Sequence, residues 1–298
     1  MVAASLIVLV TAVGVVAGGR APISQAAAKE TTLERIKRTG FFTSGFFLEP
    51  PTAYVDQQSG KLTGESPEVA RTVLNKAFGK ELKMDGVLVS EFGSLIPGLQ
   101  AGRFDLVASG LYIRKKRCEQ VLFSDPQAII HSALVVKKGN PHNLHSYENL
   151  RDAANIKVGI AEGGSELDWA RKIGVTDAKL FIVQNYEQAI AAFDAGRIDV
   201  IVGPAIAMQY RLLQVWKNTD KYELADPFQD PVIAGKKTIA YYGTAFRKGD
   251  ESLRDAFNKV FLQLRTSGAL LKIVERFGFR KSDIPMTERA ADLCRTQE

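Results

Sequence analysis

LIPGLQAGRFDLVASG (residues 95–110) and AIAAFDAGRIDVIVGP (residues 189–204) are two versions of one pattern: an apolar helical stretch, Ala-Gly-Arg, an apolar residue, Asp, and an apolar run. In each copy Gly102 or Gly196 stands where a helix ends in the left-handed conformation, which glycine adopts without a Cβ penalty. The apolar and β-branched residues that follow read as a buried parallel strand. The same helix-to-strand unit, present once in each half of the chain, predicts two lobes of like architecture.

The flanking sequence continues the alternation. LTGESPEVARTVLNKAF (residues 62–78) predicts a helix with Ser66 as its cap, Pro67 at its first position and Glu68 in an acidic first turn. IKVGIAEGGSELDWARKIG (residues 156–174) reads as a strand, a glycine turn and a helix capped by Ser165. Alternating β and α segments imply an α/β fold, with mostly parallel sheets flanked by helices and binding groups at the carboxyl ends of the strands. SALVVKKGNPH (residues 132–142) leaves the first lobe, and KKTIAYYGTAFRKGD (residues 236–250) looks like a return strand. The first lobe is therefore expected to comprise residues 30–135 and 237–298, and the second residues 136–236, joined by a two-strand hinge. Residues 251–279 have helical periodicity, broken near Ser267 and Gly268.

With 298 residues, 46% hydrophobic and 24% charged, the chain has the makeup of a globular protein long enough for two lobes. Its net charge of +6 comes from 39 basic residues interleaved with 33 acidic ones. No basic block is interleaved with aromatics, so nucleic acid is not an expected partner. MVAASLIVLVTAVGVVAGG opens the chain as an apolar run followed by small residues at Ser24, Ala26, Ala27 and Ala28. Residues 1–28 are expected to be a cleaved export signal, although the usual positive n-region is missing, and an uncleaved anchor is the alternative. The mature chain is expected in the periplasm.

Cys118 and Cys294 are the only cysteines. In an oxidising compartment an isolated pair most simply forms one disulfide, which would return the C-terminal tail to the first lobe; two separate buried thiols are the alternative. Two cysteines and three histidines make a zinc site unexpected, and no other metal or cofactor is indicated. Neither GxSxG nor HExxH occurs.

SGLYIRKKRCEQ (residues 109–120) places four cations, Arg114, Lys115, Lys116 and Arg117, after the first repeat strand. Gly110, Tyr112 and Arg117 lie at that strand end. The planar fork of Arg117 suits a ligand carboxylate, while the other three cations are expected to face water. In GFFLEPPTAY (residues 45–54) Glu49 sits between aromatic and proline side chains, suited to receive a cation, with a solvated loop carboxylate as the alternative. Phe92 would present its ring to the same space or else belong to the core. In AEGGSE (residues 161–166) Gly164 and Ser165 open a helix whose N-terminus favours an anion, although no Lys follows to make a P-loop.

From about residue 33 to 279 the chain resembles the family 3 extracellular solute-binding proteins, which deliver polar amino acids and related solutes to ABC importers. LERIKRTG, PPTAYVDQQSGKLTGESPEVA, SLIPGLQAGRFDLVASG, RCEQVLFSDP, AGRIDVIVG and FRKGDESLRDAFN carry the resemblance. GFFLEPPTAY, EFGSLIPGLQAGRFD, KKGNPHNLHSYE and ADPFQDPVIAGK, with the cysteines of RCEQ and DLC, are similar to the subgroup that binds ectoine and hydroxyectoine. The resemblance implies a type II periplasmic-binding-protein fold, a monomer without enzymatic activity, and a membrane permease as partner. It also implies a small zwitterion in the cleft, such as ectoine, hydroxyectoine or an amino-acid-like solute. Arg117 would take the carboxylate, Glu49 the amidinium, and Phe92 and Tyr112 would offer ring faces.

Two departures stand out. Pro204 occupies the place where amino-acid binders often carry an Asp for the α-ammonium, and Thr52 stands where ectoine binders usually have an aromatic, for which Phe47 is the candidate substitute. Cyclohexadienyl dehydratases resemble the same fold and use a cleft carboxyl as general acid. On that alternative the second-lobe candidates are Glu166 and Glu162.

Overall fold

The computed structural model describes residues 30–297. The segment read as an export signal lies outside them. The two AGR repeats end in the strands Leu106–Val107 and Val200–Pro204, and each is the third of five strands in its own sheet. In the first sheet the order is Lys83–Leu88, Phe41–Phe46, Leu106–Val107, Ala245–Arg247, Val121–Phe123. In the second it is Leu180–Val183, Val158–Ala161, Val200–Pro204, Ser132–Lys137, Tyr222–Leu224. The first three strands of each sheet run parallel. The last two are added antiparallel, where the chain crosses between lobes.

The repeats match in their chemistry as well as in their place. Asp105 Oδ2 accepts the Thr43 N–H at 2.9 Å, and Asp199 Oδ2 accepts the Lys157 N–H at 2.8 Å. Each aspartate thus ties its repeat strand to the start of the parallel neighbour. The apolar residue before it, Phe104 or Ile198, packs over a glycine of that neighbour. A Cβ at Gly45 or Gly159 would come within 2.4 Å of the Phe104 ring or the Ile198 Cδ1. The pattern is therefore a docking device for a helix and strand on a parallel sheet. Around it Phe42, Val73, Leu106, Phe246, Phe257 and Phe261 are fully buried in the first lobe, and Val158, Ile160, Val200 and Val202 in the second. Each such side chain contributes about 1.5–3 kcal/mol on burial.

The strands Ala128–Ile130 and Ala240–Tyr242 pair antiparallel and carry the two crossings. Ser132–Lys137 already pairs with Val200–Pro204 in the second sheet, so the crossing precedes residue 135. The return segment is split as well: Ala240–Tyr242 serves the crossing and Ala245–Arg247 the first sheet. The helix Glu251–Thr266 stops before Ser267 and Gly268, and Ala269–Val274 resumes it.

Two expected caps are displaced. The first helix of the 62–78 segment starts at Glu65 behind Gly64, because the Glu65 and Ser66 N–H groups donate to the Pro51 and Thr52 carbonyls, both at 3.0 Å. With those donors satisfied, the Ser66 hydroxyl turns to Glu65 Oε2 at 2.8 Å. Likewise Gly164 caps the helix Ser165–Ile173, and Ser165 is its first residue rather than its cap.

Cys118 and Cys294 are joined in a disulfide, which fixes the helix Ala290–Thr296 beside the short helix Lys115–Cys118. Among the described residues no helix is long and apolar enough to cross a membrane.

Candidate functional site

The carboxyl ends of the parallel strands in both sheets surround one pocket. Phe47 and Glu49 reach it from the end of Phe41–Phe46, Phe92 from beyond Lys83–Leu88, Gly110 and Tyr112 from beyond Leu106–Val107, and Arg117 from its short helix. The second lobe supplies Ala161, Gly164, Ser165 and Glu166 after Val158–Ala161, Tyr186 after Leu180–Val183, and Pro204 at the end of its strand. All seven residues singled out in the sequence, Glu49, Phe92, Gly110, Tyr112, Arg117, Gly164 and Ser165, line this one pocket. Phe47 lines it too, whereas Thr52 is buried and absent from the lining.

Arg117 is held by contacts from both lobes. Its guanidinium donates to the Tyr112 carbonyl at 3.2 Å and, across the cleft, to the Gly163 carbonyl at 3.1 Å. It lies over the Phe92 ring, 5.5 Å from the centroid, and Phe92 meets Phe47 edge to face at 5.7 Å. Burial, with the neighbouring Arg114 charge, lowers its pKa to about 10, still well above neutrality.

Arg114 departs from expectation. Lys115 and Lys116 are exposed, but Arg114 is buried, pairs with Asp168 of the second lobe at 3.0 Å and lies 5.8 Å from the Trp169 ring centroid. Its side chain leaves the turn toward the opposite lobe, where a carboxylate and an indole face replace water.

The acidic side of the pocket has two carboxyls. Glu49 is buried and its carboxyl has no hydrogen-bond partner among the described residues. Burial pushes its pKa up to about 8; Arg211 opposes that rise and Glu166 adds to it. Glu166, in the first turn of its helix, accepts the Tyr112 hydroxyl at 3.0 Å across the cleft. Burial raises its pKa too, against the pull of Tyr112, Arg117 and Arg114. Ser165 Oγ is buried without a hydrogen-bond partner. Glu162, the other acid considered, is exposed and outside this lining.

Sequence reasoning overlooked Tyr186 and Arg211. The first follows an Asn185 cap at the end of a parallel strand, so the rule that sites gather at strand ends could have found it. Arg211 carries no such signal. It sits within an apolar stretch and reaches the Leu48 and Pro50 carbonyls of the other lobe.

A profile of the bacterial extracellular solute-binding proteins, family 3, matches residues 47–281. The probable amino-acid ABC transporter periplasmic-binding protein y4tE of Sinorhizobium fredii is 37% identical over 262 residues, covering 88% of this chain and 85% of that protein. The crystal structure of EhuB in complex with hydroxyectoine superposes with a TM-score of 0.79 at 33% identity, covering 89% of this chain and 98% of that one. The ancestral amino acid-binding protein AncCDT-1, a precursor of cyclohexadienyl dehydratase, superposes with a TM-score of 0.68 at 26% identity, covering 83% of this chain and 99% of that one.

Proposed function

Because the chain belongs to the family 3 bacterial extracellular solute-binding proteins, which serve ABC transporters, we propose that it captures a small zwitterion, such as ectoine, hydroxyectoine or an amino-acid-like solute, between its lobes. The observation that carries this reading is one guanidinium, Arg117, and one unpaired carboxyl, Glu49, on the walls of a single aromatic pocket. Arg117 takes the ligand carboxylate and Glu49 its cation, with the rings of Phe47, Phe92 and Tyr112 around them. Gly164 and Ser165 add a helix N-terminus on the second lobe, with the unpartnered Ser165 hydroxyl as a donor. Pro204 has no charge to offer an α-ammonium, which favours Glu49 as the partner of the ligand cation. The loaded protein then docks on a membrane permease. On this reading it acts as an exported periplasmic monomer, cleaved after a signal within residues 1–28, without catalysis and without nucleic acid.

A thermal-shift panel of ectoine, hydroxyectoine, glycine betaine and common amino acids on the mature chain tests this directly. At least one zwitterion should raise the melting temperature, and a panel without effect would sink the reading. Arg117→Lys keeps the charge and loses the fork. It should weaken binding of the best ligand by about 1.5–3 kcal/mol, roughly 10-fold to 150-fold, as for a charge-assisted hydrogen bond. Lys115→Ala and Lys116→Ala should change it by less than about twofold, since exposed charges contribute little. Equal losses at all three positions would mean a diffuse basic patch.

The buried Glu49 also predicts a pH dependence. Its pKa of about 8 leaves it largely protonated in the empty pocket at neutral pH. A ligand cation favours the ionised form, so binding releases a proton. Affinity for a cation-bearing ligand should therefore rise with pH, by up to about tenfold per unit, and level off above the Glu49 pKa. Calorimetry between pH 6 and 9 is the check, with Glu49→Gln expected to bind weakly and without the slope. A flat wild-type profile would remove Glu49 from the cation site.

A dehydratase-like enzyme is the second reading, favoured by Glu166, a buried pocket carboxyl with a raised pKa. Turnover of prephenate or arogenate, lost in Glu166→Gln, would establish it. No turnover with intact solute binding leaves the transport reading.

A further inference from the structure

Arg211 has no exposed surface, yet it is absent from the pocket lining. It belongs to the second lobe and opens the π-helical turn Arg211–Trp216. Its Nη2 donates to the Leu48 carbonyl at 2.9 Å and its Nη1 to the Pro50 carbonyl at 3.4 Å. These are the two carbonyls on either side of Glu49. Below the guanidinium lies the Tyr186 ring, 4.8 Å from its centroid, and Tyr186 itself lines the pocket. The half-exposed Glu187 is 3.6 Å from Nε, which makes no hydrogen bond.

We propose that Arg211 is a positioning residue that grips the Glu49 loop from the opposite lobe, so that the cation-binding carboxyl is fixed only when the lobes meet. This rests on the ligand reading above. The physical reason is the high cost of a buried guanidinium without acceptors. With the lobes apart, Arg211 would lose both first-lobe carbonyls and be left with water, the Tyr186 face and Glu187. When they meet it gains two carbonyl acceptors from the first lobe. That gain exists in one arrangement of the lobes alone, which makes Arg211 part of what selects it.

The grip also adds charge where it matters. Around Glu49 stand the Glu166 carboxyl, which opposes a further negative charge, and Tyr112, Tyr186 and Tyr242, neutral phenols whose own ionisation the Glu49 charge opposes. Arg211 is the group that favours the ionised Glu49. The grip therefore holds the carboxyl in place and offsets part of the burial that favours its protonated form.

The test compares the mature wild type with Arg211→Met, which keeps an apolar stem, and Arg211→Lys, which keeps the charge. Hydroxyectoine is the probe, followed by stopped-flow binding and by calorimetry from pH 6 to 9. Arg211→Met should raise the dissociation rate at least about tenfold and leave the association rate within about threefold, as is usual for a lost docking contact. It should also move the pH at which affinity levels off upward. Arg211→Lys should restore the pH profile but not the slow dissociation. Hydrogen exchange should quicken at residues 48–53 in Arg211→Met while the strand Val200–Pro204 keeps its protection.

Wild-type rates, pH profile and exchange in Arg211→Met would overturn the proposal. Faster exchange throughout the second lobe would overturn it too, since Arg211 would then merely support that lobe. If wild type binds neither hydroxyectoine nor any member of the panel, the ligand reading fails separately. Exchange at residues 48–53 then decides the grip, and equal rates there would refute it.

Discussion

Gly163→Ala should weaken ligand binding by at least about a hundredfold while leaving the ligand-free melting temperature within a few degrees of wild type. Gly163 has φ +72°, and a Cβ there would lie 2.7 Å from the Gly93 Cα and 2.8 Å from its N, both backbone atoms of the opposite lobe. Backbone cannot swing aside as a side chain would, so the lobes must stay further apart. About 3 kcal/mol against the bound arrangement is enough for the loss, because apparent affinity scales with the competent fraction. Gly93→Ala is the control: its Cβ would meet the Gly163 Cα at an ordinary 3.8 Å. That variant should bind within about threefold of wild type, since ordinary van der Waals contact needs no rearrangement. Titration calorimetry decides, and normal binding by Gly163→Ala would show that the lobes need not approach this closely.

Replacing both cysteines, Cys118→Ser with Cys294→Ser, should cost about 5 kcal/mol of stability in the chain-entropy limit. The bond spans 176 residues of sequence, so its removal frees a very large loop in the unfolded chain. Guanidinium unfolding of the oxidised wild type and the double variant measures the difference. A change below about 1 kcal/mol would mean that strain or residual structure cancels the constraint. The variant should also hold ligand less firmly, because the bond anchors the helix that carries Arg117.

The sequence discloses most about groups whose role is local. Phe104 with Asp105, and Ile198 with Asp199, announce two copies of one unit, and both strands indeed occupy the third place of their sheets. Glu49 could be singled out because it closely follows a recognisable strand, and Arg117 because it stands in the segment that follows the first repeat strand. Arg114 could not be told from Lys115 by such reasoning, since its burial depends on Asp168 and Trp169, which come from the other lobe. Arg211 was invisible for the same reason, because main-chain carbonyls leave no trace in residue identity. The Ser66 cap went astray because loop carbonyls of Pro51 and Thr52 had already taken the donors a cap would serve, while in the other lobe Gly164 is the cap one residue before Ser165. Tyr186, which strand-end reasoning could have found, and the one-residue slip at Ser165 apart, what escaped was tertiary in origin.

The placement of Ala245–Arg247 between Leu106–Val107 and Val121–Phe123 governs the order in which the molecule can be assembled. The second sheet draws all its strands from residues 132 to 224 and is complete once that stretch is available. The first begins earlier, at Phe41, yet stays divided until residue 247 arrives to bridge its halves. A chain delivered N-terminus first therefore finishes its inserted lobe before the one that was started first. Until then the early lobe waits with an open seam through its middle, which is the interval in which a protective chaperone would have most to cover.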